Sequence, residues 1–71
     1  MTCRAMLITV NGEPRQIAAA TTIADLLAEL GLLPATVAVE VNLDLVPRIR
    51  HVEHVLAAGD SLEIVSLVGG G

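Results

Sequence analysis

One stretch of this chain carries the spacing of a full helix, and it dictates what the rest must do. In TTIADLLAELG (21–31), Ile23, Leu26, Leu27 and Leu30 recur at i, i+3, i+4 and i+7, the pattern of a single buried helical face. Thr22 is placed to cap this helix, Asp25 to reach back from three residues on as in a capping box, and Gly31 to end it in the left-handed conformation. Asp25 and Glu29 fall on the solvated side. A helix with one apolar stripe needs one sheet face to cover it.

The flanking segments read as that sheet. MLITV (6–10) is aliphatic and β-rich, and Asn11-Gly12 after it is a strong hairpin signal. The return strand is expected over Arg15 to Ala18, with Pro14 at its start, where a missing N–H does little harm. After a loop around Pro34, Val37, Val39 and Val41 alternate with Ala38, Glu40 and Asn42, the period of a half-buried strand. Leu45 and Val46 predict a short strand closed by Pro47. HVEHVLAAGD (51–60) predicts a brief helical turn and a Gly59-Asp60 turn, with the Asp60 side chain steadying it. Ser61 to Val68 is the last strand. The expected class is α+β, a mixed sheet of four to five strands with one main helix packed on one face. Residues 1–5 are expected to be an N-terminal extension, 6–68 the domain and 69–71 a flexible glycine tail.

Composition narrows the function. The chain has 71 residues, enough for one core, and 54% of them are hydrophobic, which excludes a disordered tail. It has no Phe, Tyr or Trp and no Lys, and its net charge is -4. Base stacking has nothing to work with and phosphate binding lacks a cation cluster, so nucleic acid is not an expected partner. Mild acidity suits a basic protein partner as well as ordinary solubility. No apolar run approaches the length of a membrane span, and the single cysteine, Cys3, allows no internal disulfide, so a cytoplasmic, reduced protein is expected. His51 and His54 stand at i, i+3 without a third ligand at matching spacing; they read as surface histidines, with no metal site. Arg48 and Arg50 either meet acidic partner residues or solvate a turn. No serine or cysteine sits in a nucleophile motif.

The order ββαβ(β)β in so few residues resembles the ubiquitin-like β-grasp fold. Four stretches narrow the likeness: NGEP after the first strand, TTIADLLAELG, VAVEVNLDLVPR, and AAGDSLEIVSLVGGG at the end. Together, over Met6 to Gly71, they resemble the ThiS family, the sulfur carriers of the thiamine pathway. The departures are the MTCRA extension and Asn42-Leu43-Asp44, where that turn more often contains glycine.

That resemblance implies a protein cosubstrate rather than an enzyme. An E1-like adenylating enzyme of the ThiF type would convert the Gly71 carboxylate into an acyl-adenylate, and a persulfide sulfur donor would displace AMP to leave a thiocarboxylate. A thiazole synthase of the ThiG type would then take the sulfur for thiazole formation. No cofactor is expected on this chain; ATP and Mg²⁺ belong to the activating partner. Gly69, Gly70 and Gly71 would form the reactive tail, since glycine is unhindered and three extended residues reach about 10 Å. Strand alternation puts Leu7, Thr9, Ala38, Glu40, Glu63, Val65 and Leu67 on the face away from the helix. Leu7, Ala38, Val65 and Leu67, with Val68, are the expected partner interface, a patch near the root of the tail. Two alternatives stand beside this reading: the small subunit of molybdopterin synthase, which has the same thiocarboxylate chemistry, and a β-grasp interaction module with an inert tail. Conjugation to other proteins is also chemically open to such a tail.

Overall fold

The structure is a computed structural model, and it describes residues 5–67. The expectations for the N-terminal extension before Ala5 and for Val68, Gly69, Gly70 and Gly71 lie outside the described residues.

The first two strands are the hairpin the sequence announces. β1 (Ala5–Val10) pairs antiparallel with β2 (Glu13–Ala18), in a register running from Ala5↔Ala18 to Val10↔Glu13. Asn11 and Gly12 join them with φ of 52° and 84°, both positive as a type I′ turn requires. Ala5, placed by the sequence in the extension, is the first residue of the strand. Pro14 is tolerated because β2 is an edge strand.

α1 (Ile23–Glu29) is closed at both ends by its own sequence. Thr22 Oγ1 accepts from the Asp25 N–H and the Asp25 carboxylate accepts from the Thr22 N–H, each at 3.1 Å, completing the capping box. At the other end the Gly31 N–H bonds to the Ala28 carbonyl and the Leu32 N–H to the Leu27 carbonyl, a Schellman motif. Gly31 takes φ 73°, which that motif needs. Seven residues form too short a helix to stand alone in water. Its stability comes from Ile23, Leu26 and Leu27, all fully buried, each contributing about 1.5–3 kcal/mol of apolar burial.

β3 (Val37–Val41), β4 (Asp44–Val46) and β5 (Ser61–Ser66) complete one five-stranded sheet in the order β2-β1-β5-β3-β4. β5 is central: it runs parallel to β1 through Thr9↔Ser61 and Val10↔Leu62, and antiparallel to β3 from Val37↔Ser66 to Val41↔Leu62. Ile8, Ile17, Val37, Val39, Val41, Val46 and Leu62 point to the helix and build the core with Leu56, while Met6, Val10 and Ile64 pack against it from the rim. The inward set is the one alternation predicts.

Between β4 and β5 the chain departs from expectation. The short helical turn is a 3-10 turn at Arg48–Arg50, earlier than the sequence suggested. This turn carries His51 inward rather than to the surface. His51 is 2% exposed, its Nε2 lies 3.1 Å from the Val46 carbonyl, and its own backbone carbonyl accepts from the Ala24 N–H at the start of α1. It links β4, the 3-10 turn and the helix, a structural post in place of a solvated side chain. The bond to Val46 requires the proton on Nε2, which leaves Nδ1 buried without a partner among the described residues.

Candidate functional site

The site is built on the strand that leads to the glycines. β5 lies between β1 and β3: β3 pairs with it from Leu62 to Ser66, and β1 at Ser61 and Leu62. Its odd-numbered residues face away from the helix, and there Val65 pairs with Ala38 of β3. Leu67 follows, its N–H bonded at 2.8 Å to the Thr36 carbonyl. Val65 is 54% exposed and Leu67 63% exposed, so both present apolar surface to solvent.

Two neighbours enlarge this strip. Leu45 of β4 stands opposite Glu40 on the same face and is also exposed. Ala38, Leu45 and Leu67 share a shallow cleft of about 230 Å³ with Pro34, Pro47 and Arg48. Leu45 was not among the expected interface residues, although its alternation with the inward Val46 marks its direction. Next to the strip, Glu63 and Glu40 are directly opposed across the β5–β3 pair. Like charges in that relation oppose pairing, and they give the strip an acidic flank.

Leu7 does not join this patch. It lies on the correct face and is exposed, but β1 and β5 are parallel, with Thr9 level with Ser61. Leu7 is two residues below that level and Val65 four above it, a separation of about 20 Å along the sheet. The expected four-residue patch therefore divides into Ala38, Val65 and Leu67 at one end and Leu7, bonded through its carbonyl to the Gly59 N–H, at the other. The sequence reveals which face a strand residue takes; how far apart two such residues stand depends on a pairing between positions fifty residues distant.

The turns at the base of β5 are held by polar side chains. The Asp60 carboxylate accepts from the Ala57 N–H at 2.8 Å, as expected of a turn aspartate, and also from Asn42 Nδ2 at 3.0 Å. Arg50 pairs with Glu53 in an exposed ion pair. Among the described residues no cluster of three or more metal-ligating side chains occurs, and no helix is long and apolar enough to cross a membrane.

One mixed sheet crossed by a single short α-helix among the described residues defines the ubiquitin-like β-grasp class. Comparison with known proteins narrows the class. The family model described as "ThiS family" matches residues 8–71. The chain belongs to the ThiS family. Of the two carrier branches the sequence left open, the match falls on the thiamine one. The sulfur carrier protein ThiS of Escherichia coli is 32% identical over 93% of this chain and 100% of its own length. The crystal structure of the thiamine biosynthesis protein ThiS from Geobacter metallireducens superposes with a TM-score of 0.76, at 32% identity, over 93% of this chain and 100% of that one. A thiazole synthase of Paramagnetospirillum magneticum is 44% identical over 93% of this chain. The chain spans 20% of the length of that enzyme, and likewise of the thiazole synthase of Magnetococcus marinus.

Proposed function

We propose that this chain carries sulfur for thiazole formation in thiamine biosynthesis, with the Gly71 carboxylate as its reactive group. The carboxylate attacks the α-phosphorus of ATP on an E1-like adenylating partner, and pyrophosphate leaves. The terminal sulfur of a persulfide then attacks the acyl carbon, AMP leaves, and cleavage of the sulfur–sulfur bond by a thiol yields the thiocarboxylate. Adenylation is required because a carboxylate is a poor electrophile. The chain supplies no acid, base or metal, and the Mg²⁺ and ATP are held by the partner.

The observation that carries this reading is the match to the ThiS family from Ile8 to Gly71, which takes in the exposed strip as well as the glycines. The strip of Ala38, Val65 and Leu67, with Leu45, supports the docking of a partner beside the tail. The likeness to two thiazole synthases supports a thiazole synthase as sulfur acceptor. A persulfide and a thiocarboxylate both belong to a reducing compartment, which supports the cytoplasm as the place of reaction.

The test is intact-mass measurement after incubation with a ThiF-type enzyme, ATP and a persulfide donor. The expected result is replacement of one oxygen by one sulfur, lost when Gly71 is followed by an added residue. An unchanged mass, with no adenylate trapped when the sulfur donor is omitted, would overturn the reading.

A further inference from the structure

We infer that Asn11 is a positioning residue whose side chain sets where β5 leaves the sheet; its bearing on the reaction rests on the carrier reading above. The even-numbered residues of β5 direct their backbone groups toward β1. The Asp60 carbonyl accepts from the Thr9 N–H at 2.9 Å and the Leu62 carbonyl from the Asn11 N–H at 2.8 Å. The next such residue is Ile64, and β1 has already ended at Val10. In place of a strand residue, the Asn11 carboxamide meets it: Oδ1 accepts from the Ile64 N–H at 2.7 Å, and Nδ2 donates to the Ile64 carbonyl at 3.2 Å.

A primary amide offers the same donor and acceptor as a peptide group, so Asn11 extends the β1 ladder by one position without extending the strand. The turn alone does not demand this residue. Its φ of 52° is open to glycine as well as to asparagine, and only the asparagine adds the amide. Asn42 repeats the acceptor half of the device at the opposite end and side of β5, its Oδ1 accepting from the Ser61 N–H at 3.0 Å from a turn with the same φ, while its Nδ2 donates to the Asp60 carboxylate. Leu67 lies three residues past Ile64. Removal of the Asn11 amide leaves β3 and the Thr36 carbonyl to direct that last segment from one side.

The test compares Asn11→Gly, which keeps the turn, with Asn11→Asp, which keeps the acceptor for the Ile64 N–H and loses the donor to its carbonyl. Amide exchange at Ile64 and Leu67 and steady-state adenylation at varied carrier concentration are measured on the full chain. For Asn11→Gly, exchange at both amides accelerates and the KM for carrier rises about fivefold, the scale of one net hydrogen bond, while kcat is unchanged. Asn11→Asp falls between the two. Unaltered exchange at Ile64 and Leu67, or accelerated exchange with an unaltered KM, would overturn the proposal. If wild-type chain takes no adenylate, the carrier reading fails by itself; exchange at Leu67 in Asn11→Gly then decides the exit role, acceleration supporting it and constancy refuting it.

Discussion

The apolar strip can be tested by two truncations that differ in location and in little else. Leu67 is 63% exposed and Leu7 56% exposed, on the same sheet face but at opposite ends of it. Either change to alanine alters mostly solvated surface, so each should leave stability within about 0.5 kcal/mol of wild type. Full burial of a leucine side chain contributes about 1.5–3 kcal/mol. More than half of that surface remains to be covered in the free carrier, so docking over Leu67 gains about 1–2 kcal/mol from this side chain, close to a tenfold change in affinity at the middle of that range. Leu67→Ala should accordingly raise the KM for carrier about tenfold in a pyrophosphate-release assay with the adenylating enzyme, whereas Leu7→Ala should leave it within about twofold. Thermal melts on both variants guard against a folding effect. Equal KM values for the two variants, or a larger rise for Leu7→Ala, would refute a docking strip localised at the end of β5.

Three further outcomes follow from the fold. Thr22→Ala removes the acceptor for the Asp25 N–H and should cost about 1 kcal/mol, lowering the melting temperature by about 4–8 °C. His51→Ala empties a buried site and breaks the bond to the Val46 carbonyl; urea unfolding should show a loss of about 3 kcal/mol, against the 0.5 kcal/mol or so of a surface histidine. Leu43 stands at φ 73° in the β3–β4 turn and is 87% exposed, so Leu43→Gly relieves a left-handed residue and should stabilise by about 0.5–1 kcal/mol in the same assay.

These outcomes separate what local sequence encodes from what it does not. The Thr22–Asp25 box, the stripe from Ile23 to Leu30 and the Asn11-Gly12 turn are interactions between residues within a few positions of one another, and each appears as the sequence implies. So does the outward set on β3 and β5, because alternation is also local. His51 escaped because a lone histidine has no periodicity, and its burial follows from where a 3-10 turn at Arg48–Arg50 directs it. Leu7 was grouped with Val65 because a face is legible while a parallel register between positions some fifty residues apart is not. Asn11 was read for its turn alone, since nothing near it in sequence marks Ile64 as the second partner. The departure at Asn42-Leu43, by contrast, was visible as a missing glycine, and the structure shows its form: a leucine held at positive φ.

The position of β5 at the middle of the sheet also has a mechanical meaning. In the proposed role, a partner that draws the chain into its own active site would pull on the end of β5. That strand is bonded to β1 on one side and β3 on the other, with the Asn11 amide at the last position on the β1 side. A load along the strand axis shears many bonds together instead of opening them one by one, so the body can resist traction while its end is handled elsewhere.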